Sequence, residues 1–463
     1  MTRRAVVGVV RVATTRPVGL GTEASITARR ALPRLALLRA STPSVREDLC
    51  GLALATGGSL SDVNPGRLRN LETGWDDTSI QEWIPPRNGV FAIQWGMAEN
   101  PFVYSRVLAP GDVVNREAEV DTLLEDALGG HYVRLVAPRR YGKTSLMGKV
   151  LAQAKRRHGL TGVLVDFFGV VSLADVAIRV ERAYAHHLDG GLRTKVESHL
   201  KTLGLGLSLG VQGISVRLHR RSDDVDPLPA LHALLDLPRE ANRHTGRRVL
   251  VVFDEFQDVL ALNGVDGIIR SHIQHQGEVA SYVFCGSQPG MMARLFGQRD
   301  RPLFGQAKAM ELGPLPDADL GAYIERRFAK NNRSAGEVLQ ALLTTSRGHP
   351  QRAMFLAHHL FAQVRSGKSA DAVHWQLALD AALAGVDEEF EAHWRALKVV
   401  DQRVLRAIAT YGSPYREDAI DSLALTSGAI AAGLTRLRDN GEVTRDGFHI
   451  IDPLLEFWIR RRF

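Results

Sequence analysis

Two short stretches of this chain carry residue types that can handle a phosphate chain and a divalent cation. The first is Ala137-Pro138-Arg139-Arg140-Tyr141-Gly142-Lys143-Thr144, followed by Ser145. It fits the pattern [AG]-x-x-x-x-G-K-[ST], with Ala137 where the first glycine usually stands. An apolar run, YVRLV, leads into it and a helical pattern leaves it. In that context the backbone N–H groups of the loop wrap a β-phosphate, and the helix behind points its positive end at the same group. Gly142 permits close approach of the backbone, Lys143 bridges the β- and γ-phosphates, and the Thr144 hydroxyl is a magnesium ligand. The second stretch is RRVLVVFDEF, an apolar run that ends in Asp254-Glu255. An acid at the tip of a buried strand can order a magnesium-bound water, and the next glutamate can polarise an attacking water. Arg139 and Arg140 stay open between contact with a nucleotide, contact with a neighbouring acid, and plain solvation.

Other chemistries lack their residues. There is no N-K-x-D to read guanine and no H-E-x-x-H. The pairs His186-His187 and His358-His359 put adjacent rings on different sides of a helix, which does not suit a shared metal.

Positioning these groups requires a sheet. Four apolar runs, YVRLVA, GVLVDFFGV, RVLVVFDE and SYVFCGS, have strand character, and AMELGPL can supply a fifth. Helical stretches alternate with them, so a mainly parallel sheet covered on both faces is expected. The stretch Leu203–His219 alternates small and apolar residues and reads as an inserted hairpin. Ahead of the first strand, Val120, Leu123, Leu124 and Leu128 recur at helical spacing, with Asn115 as the expected N-cap. From Asp317 onward the pattern is helical. Around Arg395 a compact unit begins, three short helices followed by EVTRDGFHI as a small hairpin, which together read as a winged helix–turn–helix.

Taken jointly, APRRYGKTSL, VVFDEFQ, VFCGSQPGMM, RPLFGQA, RGHPQ and DPLLEFWIRRR resemble the archaeal-type ATPases. These are P-loop proteins of the AAA+/STAND assemblage with a C-terminal winged helix. The resemblance runs from about Asn100 to Phe463. It implies ATP and Mg2+ as ligands, with Lys143 on the phosphates, Thr144 and Asp254 on the metal, and Glu255 as catalytic base. Ser287 falls at the family's polar sensor. Asn115 and Arg116, in VVNRE, fall on the adenine side, and His349 or Pro350, in the GHP motif of the lid, should line the pocket. After PLFG the family usually has arginine and this chain has Gln306. A γ-phosphate arginine from that place is doubtful, with Arg294, Arg299 or Arg301 as substitutes, and slow turnover is expected.

The expected fold is α/β, a P-loop NTPase three-layer sandwich with a mainly parallel sheet, followed by a helical lid and a winged helix–turn–helix. The expected divisions are a largely disordered extension 1–99, an ATPase domain 100–315, a lid 316–394 and a winged helix 395–463. Between Met1 and Arg46 nine arginines face one acid, Glu23. That composition suits a basic arm or an organellar transit peptide, and a translation start assigned too far upstream would look the same.

The whole chain carries a formal charge of +7, an excess that permits contact with nucleic acid without requiring it. Two distant cysteines, Cys50 and Cys285, point to a reducing compartment, and a cytoplasmic location is expected. No apolar run approaches the ~20 residues of a membrane span. If the C-terminal unit binds DNA, Ser427, Thr435, Arg436 and Arg438 would reach the groove and Arg445 the backbone. Packing on the nucleotide domain or on a protein partner is the opposing account. Three functions therefore remain. The preferred one is a slow ATPase acting as a nucleotide-controlled switch. The others are a DNA-binding regulator holding ATP as a structural ligand, and a self-associating scaffold.

Overall fold

Each of the five apolar runs forms a strand in the computed structural model, which describes residues 100–202 and 227–463. The expected extension 1–99 and the expected hairpin Leu203–His219 lie outside the described residues. The strands are β1 (Val133–Val136), β2 (Thr161–Asp166), β3 (Val249–Asp254), β4 (Ala280–Gly286) and β5 (Lys308–Glu311). They pair in parallel in the order β2-β3-β4-β1-β5. β3 is buried along its whole length, as its unbroken apolar sequence requires of a strand covered on both faces.

Side-chain alternation in β3 feeds two separate cores. Leu250 and Val252 pack with helices α1 (Glu117–Gly129) and α2 (Lys143–Gln153) through Leu123, Leu124, Leu146 and Val150. Val249, Val251 and Phe253 face the opposite way. There they meet α3 (Leu173–His187), α4 (Gly190–Thr202), α5 (Leu228–Leu235), α6 (Leu237–Thr245), α7 (Val265–Ile273) and α8 (Pro289–Gly297). The result is the expected three layers.

The rest is helical: α9 (Asp317–Lys330), α10 (Leu339–Ser346), α11 (Pro350–Gln363), α12 (Ala372–Ala396), α13 (Val399–Tyr411), α14 (Glu417–Leu423), α15 (Ser427–Asp439) and α16 (Pro453–Arg462). One continuous apolar core runs through all of them, from Leu320 and Phe361 to Leu405, Leu437 and Trp458. The expected terminal hairpin reduces to a single antiparallel bridge between Val443 and Ile450. Among the described residues no helix is long and apolar enough to cross a membrane.

The start of α1 differs from expectation. Arg116, at φ 77, occupies the cap position without a side-chain cap bond. The Asn115 side chain turns elsewhere: its amide donates to Asp319 at 2.7 Å, and its carbonyl accepts from the Arg116 N–H. A distant acid on α9 outcompetes the local cap. Other caps follow the usual rule, with Ser172, Asp371, Thr426 and Asp452 accepting from the first turn of α3, α12, α15 and α16.

Candidate nucleotide and metal site

The strand order brings the chemistry together. β4 lies between β1 and β3, so the loop after β1, the residue after β4 and the end of β3 are neighbours at the carboxyl edge of the sheet. Gly142 takes φ 84, a left-handed conformation that suits glycine, and delivers Lys143 to the first position of α2. The Lys143 ammonium is only 5% exposed. It donates to the carbonyls of Ala137 (3.2 Å) and Pro138 (3.3 Å) and stands 3.8 Å from the Glu255 carboxylate. The Thr144 hydroxyl donates to Asp254 at 2.5 Å. The Ser145 hydroxyl accepts from the Leu108 N–H at 3.0 Å, which ties the segment before α1 to the loop.

Glu255 has φ 46, rare for a residue with a Cβ, and this turns its carboxylate out of the strand direction. Ser287 donates to that carboxylate at 2.7 Å, and so does the Gln257 amide at 2.7 Å. Gln257 accepts in turn from the Ser287 N–H at 3.2 Å. Sequence reasoning missed Gln257. Its signal was a polar residue within the buried stretch FQDV, where an unpaired amide would be costly.

The two acids are shifted in opposite directions. Burial raises Asp254 above the usual carboxylate range, with the nearby Glu255 charge adding to it, while the Thr144 bond and Lys143 pull the other way. Burial alone would raise Glu255 as well, but Lys143, the bonds from Ser287 and Gln257, and Arg139 outweigh it and hold the group low. Glu255 is therefore a ready acceptor, and the Thr144–Asp254 oxygen pair suits a hard divalent cation.

A cavity of about 760 Å³ opens beside these groups. Tyr141, Gly142, Lys143, Thr144, Ser145 and Glu255 line it, together with an apolar group of Tyr104, Val114, Leu315, Met354 and Phe355. Arg116, Arg140 and Pro350 also face it, whereas Ala137, Pro138, Arg139, Asn115 and His349 do not. Ser287 and Asp254 reach it through their bonds to Glu255 and Thr144.

The His349 ring packs edge-on against Tyr141, 4.8 Å between centroids, and its Nδ1 accepts from the Arg352 N–H at 3.3 Å. Burial pushes its pKa down to about 4. Between pH 6.5 and 4 the unfolded chain binds a proton that the folded chain refuses, so stability falls on acidification and levels off near pH 4. The full loss is about 3 kcal/mol. Urea midpoints across this range should therefore fall more steeply in wild type than in His349→Asn, which keeps a capping acceptor. Equal slopes would show that His349 takes up its proton in the fold.

The C-terminal cations proposed for DNA are occupied. Arg436 pairs with the buried Asp401 at 2.5 Å, Arg438 donates to the carbonyls of Thr444 and Gly447, and Arg445 pairs with Glu311 at 3.0 Å. Thr435 donates back to the Ala431 carbonyl, and Ser427 is the exposed first residue of α15. Gln306 donates to the Phe304 carbonyl, and Arg301 turns to the buried Asp266. The other end of α15 packs on the loop after β4. A Cβ at Gly290 would fall 2.5 Å from that of Asp439, and one at Gly441 would lie 3.3 Å from the Ser287 carbonyl.

No protein-family model and no curated protein sequence matches the chain. Solved structures do. A Walker-type ATPase of Pyrococcus abyssi superposes with a TM-score of 0.57 at 18% identity, over 78% of this chain and 99% of that one. The ORC2 protein of Aeropyrum pernix, in ADPNP–ADP complexes, superposes with a TM-score of 0.50 at 15% identity, over 78% and 97%. At such identities the likeness is one of fold.

Proposed function

We propose that this chain, which has the fold of the archaeal P-loop ATPases, binds ATP with Mg2+ and hydrolyses it slowly as a nucleotide-controlled switch. The observation that carries the reading is the buried Lys143 ammonium facing Glu255, beside the Thr144–Asp254 pair, in a cavity that an apolar group also lines. A buried cation whose hydrogen bonds go to two main-chain carbonyls is available to an anionic ligand. The apolar group around Tyr104, Met354 and Phe355 suits a flat base.

In this reading Lys143 and the loop N–H groups hold the phosphates and balance charge as the terminal phosphate departs. Thr144 and Asp254 would hold Mg2+, which when bound neutralises phosphate charge. Glu255 orients the attacking water and takes its proton, while Ser287 and Gln257 fix the direction of its carboxylate. Slow turnover is supported by Gln306 standing where an arginine is usual and by the buried Arg116 and Arg352 at the cavity being already paired, with Glu119 and Asp452. A switch is supported by the contact between α15 and the loop carrying Ser287. We retain 100–315, 316–394 and 395–463 as the proposed ATPase, lid and winged-helix divisions.

Calorimetric titration with Mg·ATP tests the assignment. Lys143→Ala should weaken binding by about 10²-fold through loss of charge-assisted hydrogen bonds. Equal affinity in wild type and variant would remove the site from the loop.

A further inference from the structure

The two loop arginines have different surroundings. Arg140 lies in left-handed backbone, φ 66, and its guanidinium meets the Glu389 carboxylate of α12 at 2.8 Å. Both residues line the cavity that Lys143 and Thr144 line. Glu389 also stands 4.0 Å from the Arg352 guanidinium. Of the other acids on this turn of α12, Asp387 accepts from Trp458 and Glu391 pairs with Arg462, both toward the terminal helix, and Glu388 is exposed. Glu389 is thus a negative side chain from the helical layer set against a cation of the loop, inside the cavity that Lys143 also lines. The pair is exposed, 41% and 49% at its two side chains, and an exposed pair is weak. A phosphate chain of higher charge takes over such an arginine readily.

We infer that Glu389 competes with a nucleoside polyphosphate for Arg140, so that binding parts the loop from α12. The inference rests on the nucleotide reading above and adds to it a determinant of affinity that no motif contains. Its direction is unusual, since removing a cavity-lining side chain strengthens binding. The effect also grows with ligand charge, so Glu389 narrows the preference for ATP over ADP.

The test is a double-mutant cycle on the full chain, titrated calorimetrically with Mg·ATP and with Mg·ADP, with thermal melting to verify folding. Glu389→Gln should lower the Kd for ATP about three- to tenfold, and that for ADP by less. In an Arg140→Ala background the same substitution should give a gain at least about threefold smaller, because the released arginine is gone. Unchanged or weaker ATP binding in Glu389→Gln overturns the inference. So does an equal or larger gain without Arg140, which would make Glu389 a bulk charge. If wild type binds ATP and Lys143→Ala does not, while the cycle is flat, only this inference falls. If wild type binds no nucleotide, the reading beneath it falls too.

Discussion

Glu255→Gln should bind Mg·ATP within a few-fold of wild type and lose turnover by about 10²–10⁴-fold, the usual contribution of a positioned general base. The amide keeps the size of the carboxylate and can still meet Ser287 and Gln257, so the architecture of the β3–β4 edge is retained. It cannot take a proton. Because Ser287, Gln257 and Lys143 all favour the ionised acid, the loss falls on the chemical step rather than on binding. Phosphate release measured in single turnover beside calorimetric affinity separates the two. A variant that hydrolyses ATP at the wild-type rate would strip Glu255 of its role, and one that fails to bind would make it a structural acid.

The second large effect lies at the wall of the cavity. Arg352, 1% exposed, pairs with Asp452 at 2.5 Å and lies 5.2 Å from the Phe390 ring. Burial alone would raise Asp452, yet the Arg352 charge and hydrogen bonds hold it below its usual value. Its contribution is therefore complete above about pH 4 and fades on acidification below that. Asp452→Asn preserves the cap on α16, since asparagine caps as well as aspartate, but leaves a buried guanidinium uncompensated. It should cost about 3–5 kcal/mol, read as a lower urea midpoint. Arg352→Met combined with Asp452→Leu should recover most of that loss, apart from the cap. A single substitution costing under about 1 kcal/mol would mean that solvent reaches the pair.

Where the sequence was legible, the determinant was local. The strand runs, the phosphate-type loop ending in Gly142-Lys143-Thr144 and the acid pair after VVF all follow from neighbouring residues, and the structure brings Lys143, Thr144, Asp254, Glu255 and Ser287 together. What was not legible depends on partners far along the chain. Among the terminal arginines, Arg461 pairs with Asp380 and Arg462 with Glu391, both on α12 and far along the chain. Asn115 read as a cap because Asp319, on α9, could not be seen from it. Glu389 carries no signal at all on a long helix with many acids. Charge in a sequence says what a residue can do, and only the fold says what has already claimed it.

The apolar wall of the cavity comes partly from residues that precede every recognisable motif. Val103 to Leu108 form that wall, fastened by Leu108 to Ser145, by Gln351 to the Tyr104 carbonyl and by Asn100 to the His358 carbonyl. An expression boundary drawn at the first helix would keep Lys143, Thr144, Asp254 and Glu255 and discard this wall of the cavity. Such a fragment would also lose Phe102, which packs on Phe328 and Phe361 in the helical core, so instability and an open-sided pocket would arrive together.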